Sequence, residues 1–295
     1  MISNLLTCLC ILLGVAFYTL LERKVLSYIQ NRKGPKMIGV MGMLQPISDA
    51  VKLFTKEMIT PNMSNFLAFW MAPTLAFALA MMFWVIYPNT HSIVFSNFSI
   101  LMFLVLSSLN VFGTMLSGWA SNSKYSFLGA MRAMAQTISY EVSFVLLMFV
   151  CIFLLNTWSM EESKFGYPIV FILVTVFMMF MSSVIAETNR APFDFAEGES
   201  ELVSGFNIEY GGGSFVLLFL AEYANILFMS VISCALFFYS SNLFSFSMLV
   251  TGMSFVFLFT RGAYPRMRYD LLMNLCWKCY LPVSLLALLM VMPLM

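Results

Sequence analysis

Charge is scarce in this 295-residue sequence, because only 10% of its residues are charged while 61% are hydrophobic and mean hydropathy is +0.90. This composition excludes a soluble globular domain, since apolar runs of about 20 residues recur along the chain. The alternating segments of about ten residues that an outer-membrane barrel needs are absent. The sequence therefore predicts an all-α, polytopic membrane protein.

Residues that bind metals or nucleotides are also scarce. His91 is the only histidine, and of the six cysteines only Cys276 and Cys279 form a CxxC pair. A metal site needs more convergent ligands than this. No strand leads into a glycine-rich phosphate-binding turn. We therefore expect this chain itself to bind no metal, haem, iron–sulfur cluster or nucleotide, and no nucleic acid.

Eight apolar runs predict eight transmembrane helices. They are Ile2–Leu21, Phe66–Tyr87, Ser99–Gly118, Phe127–Leu155, Tyr167–Ala186, Ser214–Tyr239, Leu243–Thr260 and Leu275–Met295. No cleavage-like site precedes Glu22, so the first run is typical of a retained helix and not of a signal peptide. No repeat or linker divides the chain, and we expect a single membrane domain over residues 1–295.

The segment after the first span has one apolar and one polar face. The apolar positions at helical spacing are Leu44, Ile47, Val51 and Phe54, and the polar ones are Gln45, Asp49, Lys52 and Lys56. This pattern predicts one amphipathic surface helix, which lies at the membrane surface or against the bundle.

The segment between the fifth and sixth spans, AETNRAPFDFAEGESELVSGFNIEYGGG, is strongly acidic. Against a single cation, Arg190, it carries Glu187, Asp194, Glu197, Glu199, Glu201 and Glu209. Crowded carboxylates titrate as a coupled set and exchange protons near neutral pH. An ion-paired latch, or a docking surface for a basic partner, explains the same pattern, so these alternatives stay open.

Two further acids, Glu141 and Glu222, lie inside predicted spans. A carboxylate at such a position is costly unless it is paired, protonated or facing water. Both are therefore candidates for a proton path.

The basic residues give the expected orientation. Eight spans place both termini on one side of the membrane, and every Lys and Arg except Lys164 falls on the other side. That basic side is expected to face the cytoplasm or the mitochondrial matrix. The acidic segment lies on the same side.

Five segments carry a family resemblance. They are ERKVLSYIQNRKGP, LQPISDAVKLFTKE, SGWASNSKYSFLGAMRAMAQTISYE, AETNRAPFDFAEGESELVSGFNIEY and RGAYPRMRYDLLM, which occur in this order between Glu22 and Met273. The chain resembles subunit 1 of the proton-pumping NADH:ubiquinone oxidoreductases (respiratory complex I), of the mitochondrial type.

The resemblance implies a membrane subunit at the junction with the peripheral arm, without its own redox centre and with ubiquinone as substrate. The implied partners are the peripheral subunits at the quinone site, the antiporter-like membrane subunits and membrane lipid. The implied location is the mitochondrial inner membrane with both termini on the intermembrane side. The 26 methionines and 31 phenylalanines also suit an AT-rich organellar genome.

The resemblance also implies residue roles. Residues of the quinone passage would be Glu22, Arg23, Arg32, Asp49, Lys52, Phe219 and Arg261. The proton relay would comprise Glu141, Glu187, Asp194, Glu197, Glu199, Glu201, Glu209 and Glu222. The run Gly211–Gly213, which is not part of the family pattern, is a candidate hinge between them.

Other functions remain compatible with the residues alone. Buried carboxylates also occur in ion transporters, although those more often show repeated halves and interrupted helices. The membrane subunit of energy-converting hydrogenases is closer and lacks a quinone. Phe219 can equally be a residue that faces lipid or the core.

Overall fold

A computed structural model describes residues 2–88, 97–195, 198, 205–240 and 242–294, and all regular elements in these ranges are helical. The α-helices are α1 (Ile2–Ile29), α2 (Gln45–Phe54), α3 (Phe66–Val85), α4 (Ser99–Ala120), α5 (Lys124–Leu155), α6 (Met160–Ser163), α7 (Ile169–Ile172), α8 (Val174–Glu187), α9 (Gly213–Phe237), α10 (Leu243–Ala263), α11 (Tyr269–Leu275) and α12 (Leu281–Val291). Short 3₁₀ turns occupy Val40–Gly42, Gly205–Asn207 and Met292–Leu294.

Seven helices within the described ranges are long and apolar enough to cross a membrane, and α8 is a shorter apolar helix. One of the seven is composite, because a π-helical stretch at Cys276–Tyr280 joins α11 to α12. Pro282 near the start of α12 has no N–H to donate, and the π-helical stretch just before it adjusts the hydrogen-bond ladder. The prediction of an all-α, polytopic membrane protein is confirmed.

The fifth predicted span differs from the expectation. It is not continuous over Tyr167–Ala186, because Leu173 leaves the helical conformation (φ −130°, ψ 69°) and separates α7 from α8. At 14 residues α8 is about 21 Å long, which is less than the thickness of a bilayer core. Neither proline nor glycine lies at the break, so the sequence pattern has no signal for it.

The first helix also differs from its predicted end. It continues to Ile29, eight residues beyond the predicted Leu21. The basic segment that follows the first apolar run therefore begins as helix. As a result, Glu22 and Arg23 have fixed directions on α1 and do not lie in a loop.

The amphipathic helix forms as α2, but its polar face points inward. Ile47, Val51 and Phe54 on its apolar face are 55–62% exposed on the surface of the chain. Asp49 and Lys52 on its polar face are directed toward α1 and α9. The helix therefore packs against the bundle with its polar face, and a position at the membrane surface remains a prediction.

Helix α9 lies at the centre of the bundle and packs against α1, α3, α10 and α5. Phe228 of this helix contacts the rings of Phe83 and Phe103 at centroid distances of 5.4 and 6.0 Å. Small residues let the neighbouring helices approach closely: a Cβ at Gly113 of α4 would lie 3.2 Å from Ala76 of α3. The ring contacts of Phe228 fix the direction of this side chain on α9.

The start of the acidic segment is held against α5. Gln136, which is fully buried, donates from Nε2 to the carbonyl oxygens of Ala186 and Phe193 at 2.9 and 2.8 Å. A Cβ on Gly129 would meet the Gly205 backbone at 2.9 Å, so a glycine is needed for this close approach. Both ends of the segment are thereby placed beside the same helix.

Candidate functional site

A cavity with a volume of about 540 Å³ opens between α1, α2 and α9. Its apolar lining includes Val15, Leu26, Leu53, Phe215, Phe219 and Leu220. Its polar lining consists of Thr19, Glu22, Arg23, Asp49, Lys52, Lys56, Tyr223 and Arg261. This combination of apolar walls with a few converging charges is typical of sites that bind an organic ligand.

An ion pair fixes the polar face of α2 to α1. Arg23 donates from Nη2 to Asp49 Oδ2 at 2.6 Å, and Gln45 donates to the other carboxylate oxygen at 2.9 Å. Because Asp49 has partners on both its oxygens, its direction into the cavity is well defined. Lys52 lies one helical turn further along the same face of α2, and Lys56, just beyond the end of α2, lines the same cavity.

A cluster of polar side chains around a buried carboxylate closes one side of the cavity. It consists of Glu22, Arg190, Tyr223 and Arg261 and is called the Glu22 cluster here. Glu22 is 5% exposed and pairs with Arg261 and, at 3.5 Å, with Arg190 Nη1. Tyr223 donates its hydroxyl proton to Glu22 Oε2 at 2.6 Å. The guanidinium of Arg190 lies over the ring of Tyr223 at 4.4 Å. The cluster thus connects α1, α9 and α10 with the start of the acidic segment.

The structure brings six of the seven residues assigned to the quinone passage to one cavity, namely Glu22, Arg23, Asp49, Lys52, Phe219 and Arg261. Arg32 is the exception. It is exposed, its N–H donates to the Ser27 carbonyl at 2.7 Å, and it is not among the residues that line the cavity. Its assigned role remains a prediction that this geometry does not support.

A second cavity of about 480 Å³ adjoins the first, since Leu53, Lys56 and Phe215 line both. Glu209 and Tyr210 line the second cavity. The Tyr210 hydroxyl donates to the Ser117 carbonyl at 3.1 Å, and its ring stacks on Phe69 at 4.3 Å. Burial raises the pKa of Tyr210 above the ordinary value of a phenol, so this group stays neutral.

The predicted hinge Gly211–Gly213 leads into α9, and Gly211 and Gly212 line the second cavity. Gly212 has φ +62°, and a Cβ there would lie 3.3 Å from the carbonyl oxygens of Lys56 and Glu57. Only glycine allows this backbone conformation so close to another chain segment. Gly212 therefore lets the start of α9 pack closely against the residues that follow α2. A hinge motion remains a prediction.

The acids assigned to the relay fall into three places. Asp194 forms an ion pair with Arg266 at 3.2 Å, and Glu209 is partly buried at the second cavity. Glu141, Glu187 and Glu222 lie in or at the ends of the membrane helices α5, α8 and α9. The remaining three, Glu197, Glu199 and Glu201, lie outside the described residues.

Glu187 is the most deeply buried of the described acids that are assigned to the relay. It is 7% exposed, and its Oε2 has no hydrogen-bond partner among the described residues. Glu222 lines the same small cavity of about 40 Å³ as Glu187. The charge of Glu141 also acts on Glu187. Glu187 is therefore linked to Glu141 by its charge and to Glu222 by a shared cavity.

Arg190, Tyr223 and Lys56 were not predicted as site residues. A signal was present for Arg190, because it is the single cation in a segment of six carboxylates. The sequence contains no such signal for Tyr223. The neighbouring acid Glu222 is no guide, because it lines a different cavity. The pairs Glu22–Arg190 and Asp194–Arg266 also realise the ion-paired latch that the sequence left open.

Among the described residues, no group of three or more His, Cys, Asp or Glu side chains could hold a metal ion. All six cysteines are free thiols. The polar groups that line the main cavity are carboxylates, guanidiniums, amines, a hydroxyl and a phenol.

The fold and site define a polytopic membrane protein with a charged, partly apolar chamber beside buried acids. A sequence profile of the NADH dehydrogenase family matches residues 2–292. The chain is 49% identical to NADH-ubiquinone oxidoreductase chain 1 of Heterololigo bleekeri, over 98% of this chain and 95% of that protein. It is 48% identical to the protein of the same name from Anopheles gambiae, over 97% and 92%.

A third relative, NADH-ubiquinone oxidoreductase chain 1 of Mytilus edulis, is 49% identical over 94% of this chain and 92% of its own length. These matches cover nearly the whole chain in every case. The chain belongs to the NADH dehydrogenase family. The resemblance found in the five sequence segments is thereby confirmed, and a multi-pass inner-membrane protein is the class that the family and the helices support.

Proposed function

We propose that this chain forms a wall of the ubiquinone passage in NADH:ubiquinone oxidoreductase and couples quinone reduction to proton transfer. It acts as a membrane subunit of that enzyme, and the redox centres belong to neighbouring subunits. The observation that carries the proposal is the cavity between α1, α2 and α9. An apolar tail fits its walls, and a polar quinone head fits its charged residues.

The Glu22 cluster supports the coupling half of the proposal. Glu22 lines the cavity, and its partner Arg190 lies only three residues after Glu187. A change of charge at the quinone alters the balance between Glu22 and its two arginines. That change reaches Glu187 through the short segment that Gln136 holds on α5. Glu222 and Glu141 then continue the path within the membrane.

The orientation and the partners follow from the same proposal. The chamber and the acidic segment lie on the basic side of the chain, which is the matrix side by the distribution of Lys and Arg. Both termini then lie on the intermembrane side of the mitochondrial inner membrane. The peripheral quinone-site subunits cover the chamber, and the antiporter-like subunits continue the membrane arm.

Two adjacent positions on α2 test the passage. Ala50 lines the cavity, whereas Val51 is 56% exposed on the opposite face. Ala50→Trp fills the chamber and is expected to lower quinone-linked NADH oxidation and to raise the KM for a short-chain ubiquinone. Val51→Trp is the matched control and is expected to change neither. NADH:ferricyanide activity, which needs no quinone, reports intact assembly in both variants.

Equal quinone kinetics in the Ala50→Trp and Val51→Trp enzymes would contradict the passage. A selective effect of Ala50→Trp on quinone of long tail, with the short-chain substrate unaffected, would place the tail and not the head in this cavity.

A further inference from the structure

One side-chain amide binds both ends of the turn at residues 186–193, which follows α8. The amide belongs to Gln136 of α5, which is fully buried. Its Nε2 donates to the carbonyl oxygen of Ala186 at 2.9 Å and to that of Phe193 at 2.8 Å. An amide nitrogen carries two hydrogens, so these two bonds use all of its donors. Because carbonyl oxygens only accept, the nitrogen end of the amide must face the turn.

The turn carries Arg190 between the two carbonyl groups that Gln136 binds. The guanidinium of Arg190 extends to the edge of the chamber, where Nη1 lies 3.5 Å from Glu22 Oε1. It also lies over the ring of Tyr223 at 4.4 Å. The position of the turn therefore decides whether Arg190 reaches Glu22.

Backbone hydrogen bonds set the shape of the turn more than its position. The N–H of Phe193 donates to the Arg190 carbonyl at 2.8 Å, and this bond lies within the turn. One backbone bond comes from outside, because the N–H of Met267, beyond the end of α10, donates to the Pro192 carbonyl at 3.1 Å. Met267 thus binds the turn after Arg190 only, whereas the Gln136 amide binds it on both sides of Arg190.

The Gln136 amide is present at a cost to stability. Its Oε1 has no hydrogen-bond partner among the described residues, although the side chain is completely buried. A buried acceptor without a partner is destabilising. An apolar side chain of similar shape would fill the same space without that cost. The two donated bonds are therefore what the amide supplies.

We propose that Gln136 is a positioning residue for quinone-linked turnover and acts by holding the Arg190 guanidinium against Glu22. The inference rests on the proposed function and names the group that keeps its charge link in place. Glu22 lines the chamber and also pairs with Arg261. Loss of the two Gln136 bonds therefore leaves the chamber walls in place and weakens the link from Glu22 to the segment that begins at Glu187.

Two substitutions remove the donors of Gln136 in steps. Gln136→Met keeps a side chain of similar length and donates no hydrogen bond. Gln136→Glu has nearly the same shape, and its carboxyl group, which stays neutral at so buried a site, donates one hydrogen bond. Thr137→Val is the matched control. Thr137 is the next residue on α5 and is also buried, and among the described contacts its hydroxyl donates only to the Ala133 and Met134 carbonyls of the same helix.

The kinetic constants of the intact enzyme distinguish positioning from a general structural role. Gln136→Met is expected to lower kcat for quinone-linked NADH oxidation about five- to tenfold, while the KM for a short-chain ubiquinone stays within about twofold. Gln136→Glu is expected to lower kcat by a smaller factor, because it keeps one of the two bonds. Thr137→Val is expected to change neither constant, and all three variants are expected to keep NADH:ferricyanide activity. A general loosening of the helices would raise the KM as well, since those helices form the chamber.

A double-mutant cycle shows whether Gln136 acts through Arg190. Arg190→Gln removes the guanidinium. The enzyme that carries both Gln136→Met and Arg190→Gln is expected to be no slower than the Arg190→Gln enzyme, because Gln136 then has no guanidinium to position. Losses in kcat that multiply in the double variant would overturn the inference.

The results also separate this inference from the proposed function. If both Gln136 variants match Thr137→Val while Arg190→Gln lowers kcat, the proposed function stands and the positioning role of Gln136 is wrong. If Arg190→Gln and Glu187→Gln are also fully active, the proposed function itself fails. If Gln136→Met does not assemble, Gln136→Glu carries the test: a lower kcat at unchanged KM supports the inference, and a kcat equal to that of the control overturns it.

Discussion

Glu22 illustrates how burial changes what a charged residue does. Its carboxylate is almost fully enclosed and faces two guanidiniums and one phenol. A buried charge of this kind is tolerated only with partners of opposite charge and with hydrogen bonds on its free lone pairs. The residue therefore holds four chain segments together at the edge of the chamber.

Removing the charge of Glu22 should show how much this residue contributes to stability. Glu22→Gln leaves Arg190 and Arg261 without their counter-charge, and we expect a destabilisation of about 2–3 kcal/mol. This lies below the value for a fully buried pair because the Arg261 side chain is 37% exposed. The destabilisation is measured as a lower midpoint temperature for thermal inactivation of the intact enzyme.

Asp270→Asn is the control for that measurement. Asp270 pairs with Arg268 at 4.0 Å, and both side chains are highly exposed. The thermal inactivation midpoint of the Asp270→Asn enzyme is expected to equal that of the unmodified enzyme. Equal midpoints for Glu22→Gln and Asp270→Asn would show that the Glu22 cluster does not hold the segments together.

At the scale of elements, α2 shows what a hydrophobic pattern determines. The helical spacing of its apolar and polar residues predicted the helix and both of its faces. The pattern did not determine which face lies inward, because that depends on partners distant in sequence. Asp49 finds Arg23 on α1, and Lys52 faces the same chamber, so the polar face is the inner one.

Gly212 fixes the junction between α2 and α9, and its replacement should weaken that junction. With φ +62° and ψ −132°, Gly212→Ala places a side chain in a conformation that costs about 1–3 kcal/mol. It also brings a Cβ within 3.3 Å of two carbonyl oxygens. We expect a smaller amount of assembled enzyme and a raised KM for ubiquinone.

Gly211→Ala provides a matched control one residue away. A Cβ at Gly211 meets nothing within 4 Å, and its φ is not positive. That variant is expected to assemble and to bind quinone normally. If Gly212→Ala is equally normal, the close contact between α2 and α9 does not matter for the chamber.

For the molecule as a whole, the sequence predicted most of the membrane scaffold because the signals of membrane helices are local, although the fifth span is broken at Leu173. Apolar runs and their flanking charges located the helices, and the acidic segment was recognised by its composition. The geometry of the site was harder to predict from the sequence. Glu22 and Arg190 are far apart in the chain, and their pairing depends on α1 continuing past its apolar run.

Two other features had no local signal. The break at Leu173 arises without proline or glycine, and Tyr223 differs from any other tyrosine on an apolar helix only through its contact with Glu22. The cavity shared by Glu187 and Glu222 likewise results from the packing of four helices. Tertiary packing decides such features, and one sequence does not display them.

The account depends most on the claim that the buried acids carry protons in response to quinone reduction. The most direct measurement is coupled, quinone-linked NADH oxidation in Glu187→Gln and Glu222→Gln enzymes, with the exposed Glu162→Gln as control. We predict a loss of about tenfold or more in both test variants, with NADH:ferricyanide activity and the control unchanged. Full coupled turnover in both Glu187→Gln and Glu222→Gln would contradict the account.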